Sequence, residues 1–183
     1  MPLGQLPTFF KQGPIVIVMG VSGCGKSTIA KAYASQNSLP FIEGDDYHPK
    51  SNTKKLTAGI ALNDLDRWPW LEQLAQAVKQ QASLHGGAVA SCSALKKSYR
   101  DYLIKMIEQP LVFAYLHGNR ELFVERFSAR KNHIMPVSLL DSQLQTLEKP
   151  NSHEPVITLF AKDTIESTIN SIDEALRPLL VQK

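Results

Sequence analysis

Cysteine is scarce in this chain: Cys24 and Cys92 are its only two among 183 residues. Two distant thiols make no disulfide framework, and they read as reduced thiols of a cytoplasmic protein. Charge of one sign is equally scarce. Twenty Lys and Arg stand against 17 Asp and Glu, for a formal net charge of +3, and no basic run reaches five residues. A nucleic-acid partner is therefore not expected. No apolar stretch approaches the roughly 20 residues of a membrane span, so no membrane partner is expected either. No repeat or low-complexity linker divides the chain. Residues 1–13 lack the charged start and long apolar region of a secretory signal and read as a short leader. Residues 14–183 then form one domain. Its 43% apolar and 20% charged content suits an ordinary globular protein, with length enough for a good core.

What the chain does have is alternation. Short apolar runs at Ile15–Met19, Pro40–Glu43, Ala88–Cys92, Leu111–Leu116 and Val156–Phe160 mostly lack a polar face, as strands buried on both sides of a parallel sheet do. Between them, helices are predicted from Ser27, over Trp68–Leu84, Lys97–Glu108, Arg120–Lys131 and Val137–Leu147, and finally over Thr164–Leu180. Alternating strands and helices predict a layered α/β fold. Ligands of such folds bind beyond the C-terminal ends of the strands.

The first strand runs into Gly20-Val21-Ser22-Gly23-Cys24-Gly25-Lys26-Ser27, which fits G-x-x-x-x-G-K-[ST]. Strand before and helix after are the context this phosphate-binding loop needs. The glycines let successive N–H groups turn toward phosphate oxygens, and the helix N-terminus adds the positive end of its dipole. Gly20 to Thr28 are thus the candidate nucleotide contacts, with Lys26 reaching the β- and γ-phosphates and the Ser27 hydroxyl holding Mg²⁺. The plainer reading is a glycine-rich turn with a chance Lys-Ser.

Other strand ends carry more chemistry. After the second run comes Glu43-Gly44-Asp45-Asp46. Carboxylates buried at a strand end are costly unless they bind something. One of them could take a proton from an attacking hydroxyl or hold Mg²⁺ through water. Asp46 could equally be a helix N-cap. The third run ends without the Asp of motor ATPases, and no N-K-x-D occurs, which favours a small-molecule kinase over a GTPase. Arg126 and Arg130 share a helix face within a basic segment that includes Arg120, Lys131 and His133. Such a segment can close over ATP, or it can be a solvated helix with Glu121 and Glu125 as partners. Arg67 can fork onto a carboxylate. His48, Asn52, Lys54 and Lys55 lie nearby in sequence, a mixture suited to a polar, acidic substrate.

Taken together, these segments resemble the gluconokinase family of small P-loop kinases. The resemblance rests on G-V-S-G-C-G-K-S at 20–27, G-D-D-Y-H-P-K-S-N at 44–52, L-N-D-L-D-R-W-P-W-L at 62–71, C-S-A-L-K-K-S-Y-R-D at 92–101 and R-K-N-H-I-M-P-V-S-L-L-D-S-Q at 130–143. Ala61 stands where the family usually has Pro, and Asn132-His133-Ile134 where it has Gly-His-Phe. The resemblance implies a three-layer P-loop NTPase fold, with a five-stranded parallel sheet flanked by helices and a lid over about 126–136. It implies transfer of phosphate from ATP to the 6-hydroxyl of D-gluconate, with Mg²⁺, and commonly a homodimer. It further implies Arg126 against adenine, Arg130 on phosphates, Asp45 between the acceptor hydroxyl and Mg²⁺, and Arg67 on the substrate carboxylate with Arg100 as the alternative. His48 and Lys96 complete the expected substrate contacts. The rival readings are a kinase of another small acid or sugar, such as shikimate, and a P-loop protein that binds nucleotide without transfer.

Overall fold

A computed structural model describes residues 13–128 and 137–180. Five parallel strands lie in the order β2-β3-β1-β4-β5: β1 Ile15–Met19, β2 Phe41–Glu43, β3 Ala88–Cys92, β4 Leu111–His117 and β5 Val156–Phe160. The helices are α1 Lys26–Gln36, α2 Lys50–Thr57, α3 Asp64–His85, α4 Lys97–Ile107, α5 Arg120–Ser128, α6 Val137–Thr146 and α7 Ile165–Leu176.

Strand β1 explains the layering. All five of its residues are buried, and successive side chains point to opposite faces. Val16 and Val18 join one core with Ile29, Tyr33, Ile169 and Ile172 of α1 and α7. Ile15, Ile17 and Met19 join the other with Trp70, Leu74, Tyr99 and Leu103 of α3 and α4. The sheet is thus sandwiched between two helical layers, as expected for the three-layer fold.

Three strands match their predicted limits, and β4 runs one residue further. Helix α3 begins at Asp64, four residues before the predicted start. Asn63 caps it: its side chain accepts from the Asp66 amide while the Asp66 carboxylate accepts from the Asn63 amide. Pro69, inside this helix, cannot donate to the Leu65 carbonyl. Among the described residues no helix is long and apolar enough to cross a membrane. The expected leader falls almost wholly outside the described residues. So do Arg130 and most of the expected lid.

Candidate active site

The loop between β1 and α1 takes its shape from three glycines with positive φ: Gly20 at 141°, Gly23 at 82° and Gly25 at 104°. A Cβ on Gly20 would stand 2.8 Å from Cys24 Sγ and 2.9 Å from the Leu116 carbonyl oxygen, so glycine is required there for space as well as for conformation. Helix α1 has no side-chain cap and no acid in its first turn, which leaves its positive end to an anion.

Side chains grip this loop from several directions. Lys26 Nζ donates to the Val21 carbonyl at 3.1 Å. Arg126 of α5 donates through Nη1 to the Cys24 carbonyl, also at 3.1 Å. Gln143 of α6 accepts from the Ser22 amide at 2.7 Å through Oε1. Burial pushes the Cys24 thiol up, against the opposing charges of Lys26 and Arg126. A cavity of about 330 Å³ adjoins the loop, with Thr28, Arg126, Leu116, Ala161, Asp163 and Thr168 in its wall. Its apolar body and few polar groups suit a nucleoside. Asp163 and Thr168 were not singled out from the sequence, although they follow a predicted strand end.

On the acceptor side, the end of β2 is fastened from two directions. The Gly44 amide donates to Ser91 Oγ at 3.1 Å, and the Ser91 hydroxyl donates to the Glu43 carboxylate. Trp70 Nε1 donates to the Gly44 carbonyl at 2.7 Å. A Cβ on Gly44 would overlap the Ser91 carbonyl oxygen at 2.0 Å. A single 3-10 turn, Gly44–Tyr47, follows. It turns Asp45 and Asp46 outward, and both are exposed, so the expected burial of these two carboxylates is corrected. Asp46 caps nothing, because α2 starts at Lys50 behind Pro49.

His48 lies flat on Trp70, with ring centroids 4.2 Å apart and planes 21° from parallel. Its Nε2 is 3.9 Å from Asp45 Oδ1. Burial lowers its pKa to about 4; Asp45 opposes that shift and Arg67 adds to it. Arg67 is 7% exposed. Its Nε donates to the Leu62 carbonyl at 3.4 Å, and its guanidinium lies 5.6 Å from the centre of the Tyr99 ring. Among the described residues no carboxylate comes within ion-pair distance of Arg67. A buried cation without a counter-ion is costly, and an anionic ligand relieves the cost.

The structure brings the two sides together around the end of β3. Burial pushes the Cys92 thiol up to about 12; Asp45 adds to that shift, while Lys26 and Arg67 oppose it. The loop and the end of β2 also meet there through hydrogen bonds: the Gly20 amide donates to the Ser93 carbonyl at 3.3 Å and the Gly44 amide to Ser91 Oγ. A hard cation such as Mg²⁺ takes oxygen ligands and few protein groups. The Ser27 hydroxyl at the start of α1 and the exposed Asp45 carboxylate fit that demand.

Two expected substrate contacts fare differently. Arg100 is fully buried. It donates to both Glu154 oxygens, at 2.6 and 3.1 Å, and to the Ala94 and Leu95 carbonyls at 3.0 and 3.2 Å. Four of its five N–H donors are used inside the fold and the side chain is buried, so the expectation that it binds substrate is corrected. Lys96 is already paired with Asp64 at 2.7 Å, beside Tyr99. Arg130, expected on the phosphates, lies outside the described residues.

Known proteins resemble this chain along most of its length. The shikimate kinase family profile matches residues 22–182. The thermosensitive gluconokinase of Escherichia coli (strain K12) is 44% identical over 143 residues, covering 78% of this chain and 75% of that one. A gluconokinase of Gluconobacter oxydans (strain 621H) is 43% identical over 142 residues, covering 78% and 79%. The crystal structure of a gluconokinase from Sinorhizobium meliloti 1021 superposes with a TM-score of 0.79 at 40% identity, covering 93% of each chain.

Proposed function

The chain belongs to the shikimate kinase family and, within it, to the gluconokinases, and from that premise we propose that it transfers the γ-phosphoryl group of ATP to the 6-hydroxyl of D-gluconate. One observation carries the choice of an acidic substrate: Arg67 is buried beside the acceptor side of the sheet without a carboxylate partner among the described residues. A gluconate carboxylate supplies the missing charge, and the guanidinium fork suits it.

The chemistry follows from placement. The loop amides and Lys26 hold the β- and γ-phosphates, and the nucleoside occupies the cavity beside Arg126 and Thr28. Arg126 lies against the adenine there. Asp45 accepts the proton of the 6-hydroxyl as its oxygen attacks the γ-phosphorus and the bond to the ADP oxygen breaks. Ser27 and Asp45 would hold Mg²⁺, which would supply charge neutralisation on the phosphates. Arg130 is assigned to the same charge by the family likeness. A cytoplasmic homodimer belongs to the same reading.

ADP release measured with and without gluconate tests it. Turnover is expected with gluconate, weak with glucose and absent with shikimate. Equal turnover of glucose and gluconate would remove the acid-specific site.

A further inference from the structure

Asn52, at the start of α2, is 1% exposed. Its amide nitrogen lies 2.7 Å from the Asp66 carbonyl oxygen and 3.2 Å from His48 Nδ1. A backbone carbonyl only accepts, so the atom facing it is the nitrogen, and the orientation of the amide is fixed. That nitrogen has two hydrogens. One goes to Asp66. The other points at His48 Nδ1, which therefore presents a lone pair. A neutral imidazole carries one N–H, so the proton of His48 sits on Nε2.

Nε2 faces Asp45 Oδ1 at 3.9 Å. That separation is too long for a direct hydrogen bond and leaves room for one oxygen within reach of both. The bridging oxygen must accept from Nε2–H and donate to the carboxylate. An alcohol does both, as does the water that it would displace. A phosphate or carboxylate oxygen cannot donate when ionised, and an ammonium cannot accept. With the other tautomer, two acceptors would face the single hydrogen of a hydroxyl.

We propose that Asn52 is a positioning residue whose hold on His48 makes His48 and Asp45 a donor–acceptor pair for an alcohol hydroxyl. The inference rests on the gluconokinase reading only in taking that hydroxyl as the one phosphorylated. The charged groups facing the ring are Asp45 and Arg67.

The test is long-range ¹H–¹⁵N correlation of the histidine-labelled full chain at neutral pH, with His48 assigned by the loss of its signals in His48→Gln. The wild type is expected to show a protonated Nε2 and a bare Nδ1. Asn52→Asp, which turns an acceptor toward Nδ1, is expected to move the proton there. It should also lower kcat by about 10-fold or more, with KM for ATP within about 2-fold of wild type. His48→Gln, which keeps a donor near the Nε2 position, should retain more kcat than His48→Asn. A wild-type Nδ1–H tautomer overturns the proposal, as does an unchanged spectrum in Asn52→Asp or equal kcat in the two His48 variants. If Asn52→Asp does not fold, the wild-type spectrum and the His48 pair decide. Failure of the gluconate reading shows separately, as wild-type protein that does not turn over gluconate while its spectrum stands.

Discussion

Gln143 and Ser22 are 121 positions apart in sequence, yet the Gln143 side chain accepts the Ser22 amide hydrogen at 2.7 Å. Arg120 of α5 pairs with Asp141 of α6 at 2.6 Å, and Arg126 of α5 holds the Cys24 carbonyl. Helices α5 and α6 thus grip the phosphate loop together. Gln143→Glu keeps an acceptor for Ser22 but places a negative charge beside the triphosphate. KM for ATP should rise about 10-fold, on the order of 1.4 kcal/mol, and KM for gluconate should change little. Steady-state kinetics in both substrates checks this, and an unchanged KM for ATP removes Gln143 from the nucleotide site.

Lys26→Met retains the stem and deletes the ammonium. A lost contact to transferring charge of about 3 kcal/mol lowers kcat roughly 10²-fold or more. Near-normal turnover with Mg-ATP would contradict the assigned loop chemistry.

Asp45 and Asp46 are both exposed neighbours on one 3-10 turn, but only Asp45 faces His48. Asp45→Asn should abolish most turnover while leaving nucleotide binding intact. Asp46→Asn should change kcat by less than about 2-fold, as surface substitutions usually do. Calorimetry with ATP alongside turnover assays separates the two, and a reversed order of damage would reassign the acceptor base.

Arg67 and Arg100, the two arginines expected at the substrate carboxylate, should respond differently to substitution. Arg67→Lys keeps charge and loses the fork, so KM for gluconate should rise about 10-fold or more with melting temperature nearly unchanged. Arg100→Met leaves Glu154 buried and unpaired, at a cost of about 3–5 kcal/mol, or on the order of 10 °C in melting temperature. Thermal melts and gluconate kinetics on both variants decide. A stable Arg100→Met protein defective only in gluconate use would restore Arg100 to the substrate site.

Glu154 gives this pair a pH signature. Burial raises its pKa, but the hydrogen bonds from Arg100 and the Asn151 amide outweigh burial and hold it below the ordinary 4.5. A carboxylate depressed in the folded state stabilises the fold above its unfolded pKa and loses that contribution as pH falls through the folded one. Wild type should therefore melt well above Glu154→Gln at pH 7, with the gap closing below about pH 4.5. A gap independent of pH would mean that the ion pair contributes little.

Fold and phosphate loop were legible because both are local patterns. Continuous apolar runs give the buried strands, and the spacing of Gly20, Gly25 and Lys26 gives the loop. What sequence hid is non-local. Arg100 read as a ligand for the substrate because its partner, Glu154, lies 54 residues downstream. Gln143 carried no signal of its contact with Ser22. Asp163 followed the general rule that ligands gather at strand ends, yet nothing in its own surroundings named it. The contact between His48 and Asn52 was within sight at four-residue spacing, but the carbonyl that orients it comes from Asp66, on another helix.

Pro69 falls between Arg67 and Trp70, and its missing donor removes one rung of the ladder from an α3 that runs on to His85. The first turn of α3 finds its bonds elsewhere: Asp66 is tied to Lys55 at 2.6 Å and, through its carbonyl, to Asn52. Asp64 of the same turn is bound to Lys96 and to the Tyr99 hydroxyl, so the turn joins α2 to the start of α4. The acceptor side of the fold is therefore clamped to the helical layer through that one turn, with the His48 ring seated on the Trp70 indole.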